Sequence, residues 1–250
     1  MREALDIGVL YREHFARVAS FAQRLLLDEE AAFDVAQETF AIVLDKPDSF
    51  RGESSALTWI YSIAKNLCKK RLRGRGEKSF GDIEAIIDAR SEEPSAAYSD
   101  IERRFYVEEV KEGCLIGLLQ CLPFSQRCVF ALHLLCGLPI TEVAQVMGKS
   151  PNSARILLSR ARSSMRSFLC DNCSLIREGA TCACDKMIGF SLERGLIEKY
   201  DPEMSAEAIA TEIARFKDEV ELYRSLPDSS IALARLINGN SYSIFAKKMK

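Results

Sequence analysis

No apolar run in this 250-residue chain approaches the roughly 20 residues that a membrane-spanning helix needs. The start, Met1-Arg2-Glu3-Ala4, leads into an amphipathic pattern with no signal-peptide features. Both absences argue for a cytoplasmic protein without membrane insertion, in a compartment where thiols stay reduced. Alternating apolar and polar residues are missing as well, so a sheet is not expected. Histidine is scarce: His14 and His133 are the two, and both sit in apolar helical patterns. Neither a Gly-rich phosphate loop nor a nucleophile motif occurs, and the chain does not read as an enzyme.

What is present is helix and unevenly spread charge. With 48% hydrophobic residues, folded cores are expected. Ile7, Leu10, Tyr11, Phe15, Val18, Phe21 and Leu25 recur every three or four positions and fall on one helical face. A second helix spans about 29–44, with Phe33, Ala36 and Phe40 inward. Ser54 or Ser55 can cap a third that carries Trp59, Ile60, Ile63 and Leu67. The net charge of −2 conceals two basic stretches. Seven basic residues and the single acid Glu77 fall between Lys65 and Lys78; five basic residues and no acid fall between Lys149 and Arg166. Each is either a solvated helix face or a contact with a polyanion, for which a nucleic-acid duplex is the usual partner.

The second stretch lies in the most informative part of the chain. An apolar helix through Val129, Phe130 and Leu132 stops at Cys136-Gly137, and a short helix follows with Val143, Ala144 and Val146. Gly148 makes the turn, Ser150 offers an N-cap and Pro151 suits the first position of a third, basic helix. Short helix, glycine turn and capped basic helix make a helix-turn-helix, whose second helix enters the major groove N-terminus first. Asn152, Ser153 and Arg155 would face base edges; Arg160 and Arg162, farther along, would meet phosphates.

At this point the chain resembles the extracytoplasmic-function sigma factors of the sigma-70 family. Asp34-Val35-Ala36-Gln37-Glu38-Thr39-Phe40 resembles the region 2 segment that docks on polymerase. Phe50-Arg51-Gly52-Glu53-Ser54-Ser55 and Leu57 to Asn66 resemble the loop and helix that read the −10 element. Gly137-Leu138, Glu142-Val143-Ala144, Met147-Gly148-Lys149-Ser150 and Leu158 to Arg162 resemble region 4, the −35 reader. The resemblance runs over roughly residues 5–170, with the motifs in the family's order.

It implies a binding protein that takes the β and β′ subunits of RNA polymerase core to promoter DNA, with an anti-sigma factor as a further potential partner. The residues implied in core binding are Asp34, Gln37, Glu38 and Phe40. Those implied at the −10 element are Phe50, Arg51, Ser54, Trp59, Asn66, Lys69 and Arg71, where Trp59 reads either as core or as a base-stacking platform. At the −35 element they are Asn152, Ser153, Arg155, Arg160 and Arg162. Two departures stand out: Pro139 occupies the family's capping position before the helix-turn-helix, and Ala154 with Ile156-Leu157 replaces the usual valine and Ser-Arg pair. The competing reading is a helix-turn-helix regulator that works without core polymerase, which leaves residues 34–66 unexplained.

The expected architecture is all-α. It comprises region 2 over residues 1–75, a flexible linker over 76–100, region 4 over 101–168 and a cysteine-bearing, helical C-terminal extension over 169–250. Of nine cysteines, Cys68, Cys114, Cys121, Cys128 and Cys136 fall in helical patterns and read as small core residues. Cys170, Cys173, Cys182 and Cys184 come in two close pairs, a donor set suited to tetrahedral zinc. The Cys-x-Cys spacing of the second pair is less typical of structural zinc. A metal site (zinc first, copper or cadmium sensing next), a redox switch and buried thiols therefore all stay open, and no cofactor is required for the basic activity. Met204 to Leu226 reads as an acidic amphipathic helix, either a built-in restraint on the basic surfaces or a packing element.

Overall fold

A computed structural model describes residues 6–76, 78–90, 98–197, 199 and 200. The expected acidic helix at Met204 to Leu226 lies outside the described residues. Among the described residues the fold is helical, with one isolated bridge between Cys173 and Cys182 and no longer strand.

Two compact units form. The first combines residues 6–76 with 123–161. Helix α1 (Ile7–Leu26) is capped by the Asp6 carboxylate, which accepts the Val9 amide at 3.0 Å. Leu27 ends it in the left-handed region at φ 52°, and Asp28 at once caps α2 (Glu29–Asp45) through the Ala31 amide at 2.9 Å. This two-residue connection forces the helices side by side. Phe15, Phe21, Phe40 and Val43 are buried between them and α3 (Ala56–Arg71). Phe21 meets Tyr61 of α3 edge-on at a centroid distance of 5.2 Å.

The helix-turn-helix segment as far as Ala161 belongs to this same unit. Helix α4 (Phe80–Arg90) and α5 (Asp100–Leu119) lie in the second unit, whereas α6 (Phe124–Phe130) is in the first. The α6 helix widens into a π-turn at Ala131–Leu135, where the Cys136 amide reaches back five residues to Ala131. Then come α7 (Ile140–Met147) and α8 (Pro151–Asn172). Arg127 of α6 is buried and donates to the Leu25 carbonyl at 2.9 Å, placing a cation at the negative end of α1.

The second unit holds residues 78–90, 98–122 and the described part of 162–200. Phe80 stacks tilted on Phe168 at 5.2 Å. Ser99 and Glu102 form a capping box on α5. Phe105, Tyr106 and Val110 of α5 pack against Ile188 of α9 (Ile188–Glu193) and Ile197. The expected linker, 76–100, thus contains an eleven-residue helix, α4. Residues 101–168, expected as region 4, fall in both units: 123–161 in the first, and 101–122 with 162–168 in the second, where α5 buries its apolar face against the extension.

Candidate nucleic-acid interface

The loop at 50–54 is held open at its base. Phe50 and Trp59 pack with ring centroids 5.3 Å apart, and Gly52 adopts φ +70°, which suits glycine. Arg51 and Glu53 are exposed, and Ser54 and Trp59 are half-buried. Trp59 is therefore neither core nor a bare platform: one part of it buttresses the loop and the remainder faces solvent. Ser55 caps α3, accepting the Thr58 amide at 3.2 Å. Along α3, Asn66, Lys69 and Lys70 are exposed.

Arg71 turns away from that basic face. Its guanidinium donates to Glu38 at 3.2 Å and lies 3.9 Å from Asp34. The expected −10 residue and two expected core-binding acids are therefore one cluster, with Gln37 exposed beside them. Phe40 sits apart from this surface. It is 4% exposed, with its ring 5.2 Å from Tyr11 and 6.0 Å from Phe15. The helical periodicity places it inward, and that packing takes precedence over the implied place at the docking surface.

In the helix-turn-helix, Gly148 turns at φ +60° and Ser150 accepts the Ser153 amide at 3.2 Å. Asn152, Arg155 and Arg160 are exposed on one side of α8. Ser153 is half-buried, and its hydroxyl pairs with that of Ser150 at 2.9 Å. Ala154 is fully buried, so the small residue there is a packing choice. Pro139 gives α7 no side-chain cap, but its carbonyl accepts the Val143 amide at 3.0 Å. Arg162 is half-buried, and burial lowers its pKa.

Helices α3 and α7 touch each other inside the first unit. Glu142 of α7 accepts hydrogen bonds from Thr58 Oγ1 at 2.7 Å and Ser55 Oγ at 3.2 Å, at the positive end of α3. Lys65 Nζ donates to the Val146 carbonyl at 2.7 Å, at the negative end of α7, and burial lowers its pKa. The N-terminal ends of α3 and α7 thus lie together, with Glu142 closing the positive end of α3 and Lys65, from the middle of α3, closing the negative end of α7.

The match to known sequences falls on these elements. The profile of Sigma-70 region 2 matches residues 10–77, and that of Sigma-70, region 4 matches 112–165. The RNA polymerase sigma-H factor of Pseudomonas aeruginosa is 31% identical over 163 residues, covering 64% of this chain and 83% of that protein. The ECF RNA polymerase sigma-E factor of Escherichia coli is 31% identical over 165 residues, covering 64% of this chain and 84% of that protein. The chain belongs to the extracytoplasmic-function sigma factors.

This sigma factor binds RNA polymerase core and directs it to promoters, with region 2 built on α1–α3 and region 4 running from the second half of α5 into α8. Its relatives are sigma factors, not enzymes. Among the described residues no helix is long and apolar enough to cross a membrane. A solved complex of the sigma factor RpoE with the anti-sigma factor NepR from Bartonella quintana is also similar, at 21% identity and a TM-score of 0.46, covering 66% of this chain and 96% of that one.

The region 4 match ends at residue 165, before the four tail cysteines. Cys173 and Cys182 are bridge partners: Ser174 donates to the Cys182 carbonyl at 3.0 Å, and Cys182 to that of Asn172 at 2.9 Å. Burial and then the Cys173 thiol push Cys182 up to about 11; burial, Cys173 and Cys182 push Cys184 up to about 12. Burial, and then the thiols of Cys182, Cys184, Cys173 and Cys121, push Cys114 on α5 well above its ordinary value, a neighbourhood the sequence did not reveal. Elsewhere, Cys68 and Cys128 are fully buried, in line with core thiols, and Cys121 and Cys136 are half-buried. Among the described residues no three His, Cys, Asp or Glu side chains already stand close enough to hold an ion.

Proposed function

We propose that promoter reading by this sigma factor runs through two exposed basic surfaces that must part to work together. Arg51, Ser54, Phe50 and Trp59 form the mouth that receives an extruded base of the −10 element, and extruding a base costs a few kcal/mol that a built pocket offsets. Asn66 and Lys69 follow the strand that leaves it. Asn152 and Arg155 face −35 bases, Ser153 adds its hydroxyl, and Arg160 and Arg162 meet phosphate. Asp34, Gln37 and Glu38 dock on core, with Arg71 holding the two acids in place and Phe40 supporting them from within. The chain carries out no catalysis of its own and works in the cytoplasm, and an anti-sigma factor is a further potential partner.

The observation that carries this reading is the pair of hydrogen bonds from Ser55 and Thr58 to Glu142. The −10 and −35 elements lie about 25 base pairs apart, or about 85 Å at roughly 3.4 Å per pair. Side chains in hydrogen-bond contact cannot serve both elements at once, so the closed arrangement is not the promoter-bound one. Opening costs the contacts between α3 and α7, and binding of core and promoter supplies that energy.

The tail cysteines Cys170, Cys173, Cys182 and Cys184 are proposed to supply a metal site, with zinc as the first candidate. Their support is four thiols within fifteen positions and the bridge that pairs two of them.

Permanganate footprinting of the open complex tests the reading site by site. Arg51→Ala with Trp59→Ala is expected to lose melting at the −10 element while core binding persists. Asn152→Ala with Arg155→Ala is expected to relax the −35 preference. Retention of both footprints in the variants would show that other residues read the promoter.

A further inference from the structure

Cys114 stands 56 positions before Cys170 in the sequence, yet folding brings it to the tail cysteines. Three features set the geometry. Cys173 and Cys182 are bridged, so their side chains start from neighbouring backbone positions. Ala183 between Cys182 and Cys184 is extended (φ −116°, ψ 133°), and residues two apart on an extended segment point the same way. The turn Cys184–Met187 then packs on α5, where Cys184 and Met187 lie against the cluster of Phe105, Tyr106 and Val110. One helical turn beyond Val110 comes Cys114, on the same face of α5 that Cys184 packs against; burial, then the thiols of Cys182, Cys184, Cys173 and Cys121, raise its pKa.

Cys170 is placed differently. It stands on α8, outside both the bridged Cys173–Cys182 pair and the extended Cys182–Cys184 segment. Its carbonyl accepts the Arg177 side chain at 2.8 Å, which fixes that turn of α8.

We propose that Cys114, Cys173, Cys182 and Cys184 form one tetrathiolate site for a soft divalent cation of the zinc or cadmium type, with Cys170 outside it. This rests on the proposed metal reading of the tail and changes its ligand set. Four sulfur donors select such d10 cations over hard oxygen-seeking ones. The side chains are not yet gathered around one point, so closure comes with binding, through χ1 rotation of thiols that the backbone already places together. Each thiol gives up its proton to solvent as its sulfur bonds the cation, so four protons leave for each ion bound. The consequence is a staple between α5, where the region 4 match begins, and the extension behind it. Thiol groups so placed could instead pair as a disulfide, but a Cys173–Cys182 disulfide would leave Cys114 without a role.

The test titrates the full chain, stripped by chelator under reducing conditions, with cadmium, and reads the thiolate-to-cadmium charge-transfer absorbance. One ion per chain is expected, with an absorbance that corresponds to four thiolates. Cys114→Ser and Cys182→Ser are expected to weaken binding about 100-fold or more, beyond the 10–100-fold that outer-shell changes cause, and Cys170→Ser to leave it unchanged. Four-thiolate binding that survives Cys114→Ser and is lost in Cys170→Ser would overturn the Cys114 assignment and leave the tail-only site standing. No cadmium or zinc bound by the parent chain would overturn both. If Cys114→Ser fails to fold, Cys170→Ser decides: retained four-thiolate binding supports the proposal, and its loss contradicts it.

Discussion

Thr58 Oγ1 donates to the Glu142 carboxylate at 2.7 Å, a bond between α3, which follows the loop at 50–54, and α7, the first helix of the helix-turn-helix. The two residues are 84 positions apart. Ser55, the cap of the same helix, shares the acceptor. A carboxylate acceptor strengthens such bonds, and its place at the positive end of α3 adds to the hold.

Removing that acceptor should loosen the closed form. Hydrogen bonds to charged groups contribute about 1.5–3 kcal/mol, and half-exposure of Glu142 puts it at the low end. About 1.4 kcal/mol is a tenfold shift, so Glu142→Ala should raise core-dependent transcription severalfold at limiting sigma factor. Glu142→Gln, which keeps an acceptor, should do so less. Unchanged transcription by Glu142→Ala would mean that this contact does not limit opening.

Phe40 and Gln37 separate packing from docking. Phe40→Ala should destabilise the chain by about 3–5 kcal/mol, as aromatic truncation in a core does. Gln37→Ala, at an exposed position, should stay within about 0.5 kcal/mol of the parent and weaken core binding alone. Denaturant unfolding beside a core-binding assay checks both.

The two basic faces should differ in what they lose. Lys69→Ala should weaken promoter binding evenly across sequences and lower the salt slope by about one, as loss of one phosphate contact does. Arg155→Ala should cost about 1–3 kcal/mol and relax preference at one −35 position. Binding measured over a salt series on matched and altered promoters checks the pair.

His14 gives the first unit a pH dependence. Burial, aided by Arg17, holds its pKa below 6.5. Below about pH 6.5 the unfolded chain therefore takes up a proton that the folded one resists, and the His14 contribution is lost as pH falls from there through the lower folded value. His14→Gln should flatten the fall in stability between neutral pH and about pH 5, read from unfolding midpoints in a pH series.

Much of this was legible in the sequence because it is local. The 3.6-residue periodicity of α1–α3, the glycine at 148 and the Ser150 cap are short-range signals, and the structure repeats them. Helix α4 was hidden by its surroundings: Ile83, Ile86 and Ile87 carry helical spacing, but the glycines before it and the acidic Pro-Ser run after it mask three turns. Phe40 carried two incompatible roles in the sequence, and burial decides between them. Arg71 read as part of a basic run because its acidic partners lie 33 and 37 positions earlier. Contacts across long separations, Glu142 to Thr58 and Cys114 to the tail, leave no periodic trace at all.

Run-off transcription with purified core polymerase over DNA of the source organism tests the central claim most directly. Addition of the chain should produce new, discrete start sites that require both core and chain, and the starts should vanish when Arg51, Trp59, Asn66 and Lys69 are replaced together by alanine. DNA binding without any core-dependent initiation would contradict it and leave a regulator that acts through its helix-turn-helix alone.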